Sequence, residues 1–351
     1  MPKPPLPDRT TAPLALRFGA LGDMVMAIPL LRALAERHGQ PCDVIGRGPW
    51  LPDLYRHLPF VGELHYLNSR NLPYILDPRK RSVVRWLRSR PPGPIYLLQD
   101  DDITMSLIHR SGVAITAWNR AVSRNPIEHT IDRHRRLAGF GDDYRRDPEL
   151  RVSAAEAEEC SQWLATLGLE QAPLVLIQAG NRKTRSWRRS ATDRKIWPET
   201  HWAQVAREVL ASRPDVRVLF IGVPKEQPLA LRLVAQLGDP RVLAVADQLP
   251  LRRLFALLRG AHSLISVDTG PAHAAVALGC PAVVLFGTTD PRITGPYAGT
   301  SQMLAVVPPG APMPTDLPPW PPGMSLSTIS PAAVLSAWSQ LATLRTPLPA
   351  V

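Results

Sequence analysis

The chain has 351 residues, of which 45% are hydrophobic and 20% are charged. This length exceeds that of a usual single domain and predicts two domains, while the balance of apolar and charged residues excludes wholesale disorder. The 41 basic and 30 acidic residues give a net charge of +11, which favours anionic partners such as phosphates, acidic lipids or nucleic acid.

The amino terminus is rich in proline and lacks the apolar run of a secretory signal. No apolar stretch reaches the length of a membrane-spanning helix. The three cysteines, Cys42, Cys160 and Cys280, are too scattered for a disulfide framework or a zinc site. We therefore expect a cytoplasmic protein, soluble or peripheral to a membrane, with free thiols in a reducing compartment.

The first half of the chain alternates short apolar runs with segments of helical period, which is typical of a parallel sheet covered by helices. It opens with a buried strand over 14–18, a tight turn over 19–22 and a helix over 23–38 that ends at Gly39. Further strands are predicted at 43–46, 95–99 and 113–118. Further helices are predicted at 79–89, 129–138 and 154–167.

After a linker over 168–173 the alternation of strands and helices restarts. Strands are predicted at 174–178, 216–222, 242–246, 264–267 and 282–286. Helices are predicted at 201–211, 227–237, 251–259 and 272–278. A proline-dense connector at 308–322 precedes a final helix with Ser330 as N-cap and Pro331 at the first helical position.

These elements predict two Rossmann-like domains, at 1–168 and 173–329, followed by a C-terminal helix at 330–345. Two doubly wound parallel-sheet domains that face each other place a ligand cleft at the carboxyl ends of their strands.

The strongest local motif is Ser266-Val267-Asp268-Thr269-Gly270-Pro271-Ala272-His273, in which a buried strand turns directly into a helix. Backbone amides at such a helix N-terminus, together with the helix dipole, can bind a diphosphate, with Thr269 and Gly270 as the closest donors. Alternatively, Asp268 or Thr269 caps the helix and His273 is an ordinary packed histidine.

A second strand-turn-helix junction, Phe18-Gly19-Ala20-Leu21-Gly22-Asp23, lies in the other half. Its glycines allow a ligand to approach the backbone. The Asp23 carboxylate is either a helix cap or a general base.

Two further charged residues lie at predicted strand ends. Lys195, one of only five lysines, follows the first strand of the second half, and its ammonium is either a phosphate ligand or a solvated surface charge. Glu226 follows the next strand and is placed to accept from ribose hydroxyls.

Together, in this order and spacing, these motifs resemble those of glycosyltransferase family 9, the lipopolysaccharide heptosyltransferases. The resemblance spans 14–302 and is carried by five segments: Leu21-Gly22-Asp23, Lys195-Ile196-Trp197-Pro198, Gly222-Val223-Pro224-Lys225-Glu226, Asp268-Thr269-Gly270-Pro271-Ala272-His273 and Phe286-Gly287-Thr288-Thr289-Asp290-Pro291.

The resemblance implies the two-domain GT-B fold and metal-independent, inverting transfer of heptose from ADP-heptose to a lipopolysaccharide core acceptor. It implies that the N-terminal domain at 1–168 binds the acceptor, that the C-terminal domain at 173–329 binds the nucleotide sugar, and that the helix at 330–345 packs back on the N-terminal domain. It makes Asp23 the base that deprotonates the acceptor hydroxyl. It also implies that a set of residues binds the donor: Lys195, Glu226, Asp268, Thr269, Gly270, Pro271 and His273. No cofactor is implied besides the nucleotide sugar, and a lysine plus a helix N-terminus can stabilise the leaving diphosphate.

The run Asp100-Asp101-Asp102 offers a rival metal interpretation, because clustered aspartates at a strand end can bind a divalent cation. An acceptor contact by Asp100 or a plain turn also accounts for it. Gly22 and Asp100 are both candidates for the acceptor side. A departure from the family is the basic segment 181–194, which contains Arg182, Lys183, Arg185, Arg188, Arg189 and Arg194. It is either a flap over phosphates or a solvated loop.

Residues 79–90 interleave basic and apolar side chains as in a basic amphipathic helix. We hypothesise that this helix, with Arg81, Arg85 and Arg88 as acceptor-side candidates, meets the anionic lipid or the phosphorylated glycan acceptor, the alternative being an ordinary solvated helix face.

Other classes of function remain open. A nucleic-acid binder is suggested by charge alone, without a zinc finger or an aromatic RNA-binding motif, and we expect no nucleic-acid partner. A scaffold that binds a nucleotide sugar without transfer is a second alternative. A related transferase that uses another nucleotide sugar for O-antigen, capsule or protein glycosylation is the third.

Overall fold

The computed structural model describes residues 12–68, 72–121, 127–181, 184, 194–299, 302–312 and 319–344. The chain divides into two compact units, Met1–Arg151 and Val152–Val351. Each unit contains a parallel sheet and its own apolar core.

The first unit alternates strands and helices from its start. In chain order its elements are β1 (Leu14–Leu16), α1 (Leu21–His38), β2 (Cys42–Arg47), α2 (Leu51–Tyr55), β3 (Val61–Leu67), α3 (Pro78–Ser89), β4 (Ile95–Leu97), α4 (Asp102–Ser111), β5 (Ala117–Trp118) and α5 (Thr130–Leu137). The strand order is β3-β2-β1-β4-β5, with every pair parallel. The chain therefore reverses its direction of winding between β1 and β4, where ligands bind in open α/β sheets.

The second unit repeats this plan. Its elements are α6 (Ala154–Thr166), β6 (Leu174–Gln178), α7 (Glu199–Ser212), β7 (Arg217–Phe220), α8 (Gln227–Leu237), β8 (Val242–Ala244), α9 (Leu251–Gly260), β9 (Ser263–Val267), α10 (Gly270–Ala277), β10 (Ala282–Leu285), α11 (Pro291–Thr294), β11 (Met303–Val306) and α12 (Pro331–Leu344). The order β11-β10-β9-β6-β7-β8 is again parallel throughout. Here the winding reverses between β6 and β9.

Local sequence signals fix several helix ends. Gly39 ends α1 in the left-handed region at φ 63°, a conformation that glycine adopts without strain. Asp77 begins α3 by accepting from the amides of Arg79 and Lys80. Ser330 accepts from the amide of Ala333 at the start of α12, as its predicted N-cap role requires.

The fully buried strands and the long helices lie where the sequence predicts them, whereas β3, β11, α2, α4 and α11 were not predicted. Strand β3 is half exposed and contains a glycine and a glutamate, so it lacks a continuous apolar run. Helix α4 is capped by Asp101, which accepts from the Thr104 amide at 2.9 Å. We expected a cation site, an acceptor contact or a plain turn at this aspartate run, and no helix.

The boundary between the units lies at 151/152 rather than in the linker at 168–173. Helix α6 packs against α9 of the second unit. Arg252 makes a bidentate pair with Glu156 at 2.6 and 2.7 Å, and Arg253 pairs with Glu159. These long-range ion pairs assign α6 to the second unit.

The final helix also packs within the second unit, in contrast to the expected packing on the N-terminal domain. Val334, Trp338 and Leu341 are spaced for one helix face and are buried in the second core. Trp338 donates to the hydroxyl of Ser263 at 2.9 Å. Helix α12 therefore has its main contacts with α7, β10 and β11.

Among the helices that the structure describes, none combines the length and the apolar character needed to cross a membrane.

Candidate active site

The predicted base lies at the winding reversal of the first sheet. Asp23 occupies the third position of α1, immediately after β1 and its connecting turn. Its Oδ2 accepts from the Ala20 amide at 2.8 Å, and its Oδ1 accepts from Arg17 Nη2 at 2.6 Å. The Asp23 side chain retains 32% exposure. Asp23 can therefore both cap α1 and act as a base, because two donors orient its carboxylate and the side chain is still accessible.

Gly19 makes this geometry possible. A Cβ at residue 19 would clash with the Cβ of Asp23 and would lie 2.8 Å from its Oδ2. Any side chain here would displace the carboxylate. Glycine is consequently required by the close approach of the turn to Asp23.

Arg17 is a site residue that we did not predict. Its guanidinium bridges the Asp23 carboxylate and the backbone carbonyl of Leu98, which accepts at 3.0 Å. Leu98 directly follows β4, so Arg17 joins the two strands at which the winding reverses. The available signal was a basic residue directly after a buried strand.

A buried histidine lies behind this pair. His134 on α5 is 1% exposed, and burial, followed by the positive charge of Arg17, lowers its pKa to about 3. It is therefore neutral at physiological pH. Its Nδ1 is buried without a hydrogen-bond partner among the described residues.

The acceptor-side candidates Gly22 and Asp100 lie at the same sheet edge. Gly22 is buried in the first turn of α1, and Asp100 follows β4 by three residues and is half-buried. The neighbouring Gln99 accepts from the Phe18 amide at 3.2 Å and donates to Asp101. Across the part of the chain that the structure describes, no group of three or more histidine, cysteine or acidic side chains is arranged to hold a metal ion.

The three predicted arginines of α3 are exposed but do not all lie near Asp23. Arg88 donates to the carbonyl of Arg110 at 2.7 Å, at the end of α4. Two residues later, Arg90 contacts the Ala12 carbonyl and Asp43, at the amino ends of β1 and β2. The C-terminal end of α3 therefore lies at the sheet edge opposite to Asp23.

In the second unit, the strongest motif also lies at a winding reversal. Thr269 is the N-cap residue of α10 in extended conformation, yet its side chain makes no capping hydrogen bond. Its hydroxyl donates instead to the Val267 carbonyl at 3.1 Å and lies 3.2 Å from Ser266 Oγ. The first turn of α10, with Gly270 and Pro271, thus receives no side-chain acceptor from Thr269 and keeps its capacity to bind an anion.

Asp268 does not cap this helix either. Its Oδ2 accepts from the Thr289 hydroxyl at 2.7 Å, and Thr289 follows the neighbouring strand β10. His273 Nε2 lies 3.7 Å from Asp268 Oδ1. Because His273 is only 5% exposed, the structure places it behind Asp268 rather than at the surface, where it can orient the carboxylate.

Glu226 follows β7 and is buried, with 6% exposure. Its Oε2 accepts from Gln178 Nε2 at 3.0 Å and from the Val223 amide at 3.1 Å. A Cβ at Gly180 would lie 2.6 Å from its Cδ, and one at Gly222 would lie 2.6 Å from its Oε2. The two glycines and Gln178 therefore fix this carboxylate at the carboxyl edge of the sheet.

Lys195 has an exposed side chain. Its backbone carbonyl accepts from Asn181 Nδ2 at 2.6 Å, which ties it to the segment after β6. The neighbouring Trp197 is buried and donates to the Ile329 carbonyl at 3.0 Å. Lys195 therefore places an exposed charge on an anchored segment at the same sheet edge as Glu226.

Most of the basic segment 181–194 lies outside the described residues. These are the positions Arg182, Lys183, Arg185, Arg188 and Arg189. Arg194 is described, and its carbonyl accepts from the Leu326 amide at 2.9 Å.

Known proteins share both the sequence pattern and the fold. Residues 101–311, more than half of the chain, match the family described as Glycosyltransferase family 9 (heptosyltransferase). The chain belongs to this family. The match covers the second-unit site built around Lys195, Glu226 and Asp268, and the suspected family relationship is confirmed.

Curated family members align over part of their length. Lipopolysaccharide heptosyltransferase 1 of Escherichia coli strain K12 is 29% identical over 199 residues, which is 57% of each chain. Lipopolysaccharide heptosyltransferase 1 of Pseudomonas aeruginosa is 38% identical over 109 residues, 31% of this chain and 29% of that protein. The alignments thus span between about a third and just over half of these relatives.

Solved structures match over nearly the whole chain. The glycosyl transferase family 9 structure from Veillonella parvula gives a TM-score of 0.75 at 18% identity, covering 95% of this chain and 98% of that one. The E. coli ADP-heptose lps heptosyltransferase II gives 0.73 at 19% identity, covering 95% and 99%. These matches confirm the predicted fold, two parallel-sheet α/β domains of the GT-B type.

Proposed function

We propose that this chain transfers heptose from ADP-heptose to a lipopolysaccharide core acceptor, or to a related anionic glycolipid, at the cytoplasmic face of the inner membrane. Family membership supports glycosyl transfer. A further solved structure of similar fold is E. coli heptosyltransferase WaaC with ADP. Another is the same enzyme with ADP-2-deoxy-2-fluoro heptose. The observation that carries the proposal is the uncapped first turn of α10 at the winding reversal of the second sheet.

In this proposal the second unit binds the donor diphosphate. The amides of Thr269 and Gly270, the positive end of the α10 dipole and the Lys195 ammonium meet the negative charge that develops on the leaving group. Asp268, oriented by His273 and Thr289, and Glu226 contact the donor's nucleoside and sugar. Pro271, which lacks an N–H, sets the start of the helix without competing for the phosphate.

The first unit supplies the base. Asp23 removes the proton from an acceptor hydroxyl while that oxygen attacks the anomeric carbon, and the bond from this carbon to the diphosphate oxygen breaks. Attack from the face opposite to the leaving group inverts the configuration. The proton ends on Asp23 and the electron pair leaves with ADP, so no metal is required by the balance of the step. Transfer that persists undiminished in EDTA is the corresponding expectation.

The first test is calorimetric titration of ADP, UDP and GDP without metal. We expect preference for ADP, weakened about tenfold in Lys195→Ala by loss of a charge-assisted contact, and unchanged in Arg207→Ala, an exposed control on α7. Preference for UDP or GDP would keep the fold and the mechanism but move the donor to another nucleotide sugar. Absence of nucleotide binding would favour a degenerate scaffold.

The second test addresses Asp23. Asp23→Asn should lower turnover by roughly 10²- to 10⁴-fold, the usual contribution of a positioned base, with ADP affinity retained. Asp53→Asn is a matched control, because Asp53 is also a first-turn carboxylate paired with an arginine in the same unit. Unchanged turnover in Asp23→Asn would reduce Asp23 to a helix cap.

A further inference from the structure

The short 3₁₀ helix Tyr74–Leu76, directly before α3, presents large apolar side chains to solvent. Ile75 is 78% exposed and Leu76 is 64% exposed. Single exposed apolar residues are ordinary on a protein surface. Two adjacent exposed apolar residues surrounded by exposed arginines are less ordinary.

Exposed arginines surround this turn. Arg81, Arg85 and Arg88 are spaced four and three residues apart and therefore line one face of α3. Arg81 donates to the carbonyl of Ile75, and the guanidinium of Arg110 lies 4.4 Å from the centre of the Tyr74 ring. The apolar tip and the arginines thus form one continuous surface, which we call the basic–apolar surface: Ile75, Leu76, Arg81, Arg85, Arg88 and Arg110.

This surface carries a strong excess of positive charge. It contains four exposed arginines, Arg81, Arg85, Arg88 and Arg110, and the one acidic side chain within residues 72–90 is Asp77. Asp77 is 4% exposed and caps α3. Its charge is therefore directed to backbone amides and does not neutralise the exposed arginines.

The apolar stripe of α3 itself is unavailable to a partner. Val83, Val84 and Leu87 are buried in the core of the first unit. Helix α3 therefore cannot embed in a lipid interface as a basic amphipathic helix does, and our initial interpretation of residues 79–90 changes accordingly. The apolar groups that remain exposed are those of the preceding turn.

We propose that the basic–apolar surface docks the protein on an anionic lipid bilayer, with Ile75 and Leu76 inserted at the headgroup boundary and the arginines among the lipid phosphates. Charge complementarity selects this partner, and the exposed isoleucine and leucine distinguish it from a purely electrostatic partner such as RNA. The proposal goes beyond the proposed function, since it involves neither the donor nor the acceptor sugar.

Two weak contributions combine in this binding mode. An arginine near an anionic surface strengthens partitioning by about fivefold at low salt, and partial burial of two apolar side chains adds about tenfold. Attachment is therefore expected to be reversible and sensitive to salt, because a Debye length of about 3 Å at 1 M salt screens the arginines.

Sedimentation of the full-length chain with vesicles tests the proposal. We expect binding to vesicles that contain phosphatidylglycerol and little binding to pure phosphatidylcholine vesicles. Arg81→Gln/Arg85→Gln/Arg88→Gln should weaken binding by about a hundredfold, and Ile75→Ser/Leu76→Ser by about tenfold.

Matched controls keep the result interpretable. Arg207→Gln/Arg213→Gln/Arg232→Gln removes three exposed charges from the second unit, and Leu231→Ser removes a leucine that is 54% exposed there. Both should retain vesicle binding. Equal loss in these controls would show that net charge or general apolarity, rather than this surface, is responsible and would overturn the proposal. Thermal unfolding verifies that each variant is folded.

Insertion of the turn can be detected directly. All three native cysteines are buried, so Ile75→Cys accepts an environment-sensitive fluorophore selectively. A blue shift on anionic vesicles is expected. An unshifted spectrum would refute docking on a bilayer. So would binding of a single-stranded RNA that is tighter than binding of the anionic vesicles and is unchanged in the Ile75→Ser/Leu76→Ser variant. Neither result bears on the proposed function, which is tested by nucleotide titration and turnover.

Discussion

Replacing Arg17 by methionine retains most of the aliphatic stem and removes the guanidinium that joins Asp23 to the Leu98 carbonyl. A hydrogen bond to a charged group contributes about 1.5 to 3 kcal/mol when it is buried. Because the Arg17 and Asp23 side chains are 19% and 32% exposed, we place both bonds at or below the lower end of that range. The expected loss is about 2 kcal/mol of unfolding free energy in the first unit.

Urea unfolding of Arg17→Met beside Arg56→Met measures this loss. Arg56 pairs with Asp53 at the surface, with side chains 53% and 37% exposed, so its replacement should change stability by less than about 0.5 kcal/mol. The electrostatic readout is His134, because the charge of Arg17 is one cause of its lowered pKa. In Arg17→Met that pKa should rise but stay below the ordinary value, since burial is the larger cause.

If the proposed function holds, the same variant should show a reduced kcat with ADP affinity retained, because the carboxylate has lost one of the two donors that orient it. A residue with only a structural role would lower the amount of folded enzyme without lowering kcat per folded molecule. Equal stability of the Arg17 and Arg56 variants, together with an unchanged His134 titration, would refute the existence of the Arg17–Asp23 bridge.

Three further predictions concern buried groups. His134 takes up a proton below pH 6.5 in the unfolded chain but only near pH 3 in the folded chain. As pH falls through that window, this residue therefore lowers the free energy of unfolding by up to about 1.4 kcal/mol per pH unit. Urea unfolding at pH 7 and pH 4 should show a smaller loss of stability in His134→Asn than in the unmodified chain. Gly222→Ala should weaken ADP binding about tenfold by displacing the Glu226 carboxylate, whereas Gly260→Ala, where a Cβ meets nothing within 4 Å, should leave titrations unchanged. Arg252→Met should lose about 2 kcal/mol because it removes the bidentate partner of Glu156, a partly buried carboxylate on α6 that keeps the Ser153 amide as a donor, and a denaturation midpoint equal to that of the unmodified chain would contradict this.

The part of the fold that the sequence predicts is the part that is buried. Strands β6 and β9 are buried at every position, and their continuous apolar runs identify them. Strand β3 lies at the edge of its sheet and is half exposed, so side chains facing solvent interrupt its pattern. The unit to which α6 belongs depends on ion pairs with α9 that bridge more than ninety residues, and no local pattern encodes such a choice.

The candidate site divides in the same way. Asp23 and Asp268 were found because each lies at a junction between a buried strand and a helix, which is a local signal. Thr289 contacts Asp268 from beyond α10 and β10. Arg17 lies in the turn before α1 and contacts Asp23, but a single arginine after a strand does not indicate such a bridge by itself. His134 reaches the Arg17 region from a helix more than a hundred residues further along the chain, and its proximity follows from tertiary packing alone.

If Glu226 contacts the donor as proposed, the close fit around its side chain limits how donor choice can be altered by mutation. Gly180 and Gly222 both contact the Glu226 side chain. A shorter side chain at 226 would therefore leave room for a Cβ at 180 or 222. Glu226→Asp, which withdraws the carboxylate by one methylene, should make alanine tolerable at 222. These three positions therefore need to be varied as one set, and a library that randomises 226 alone samples only the sequences that two glycines permit.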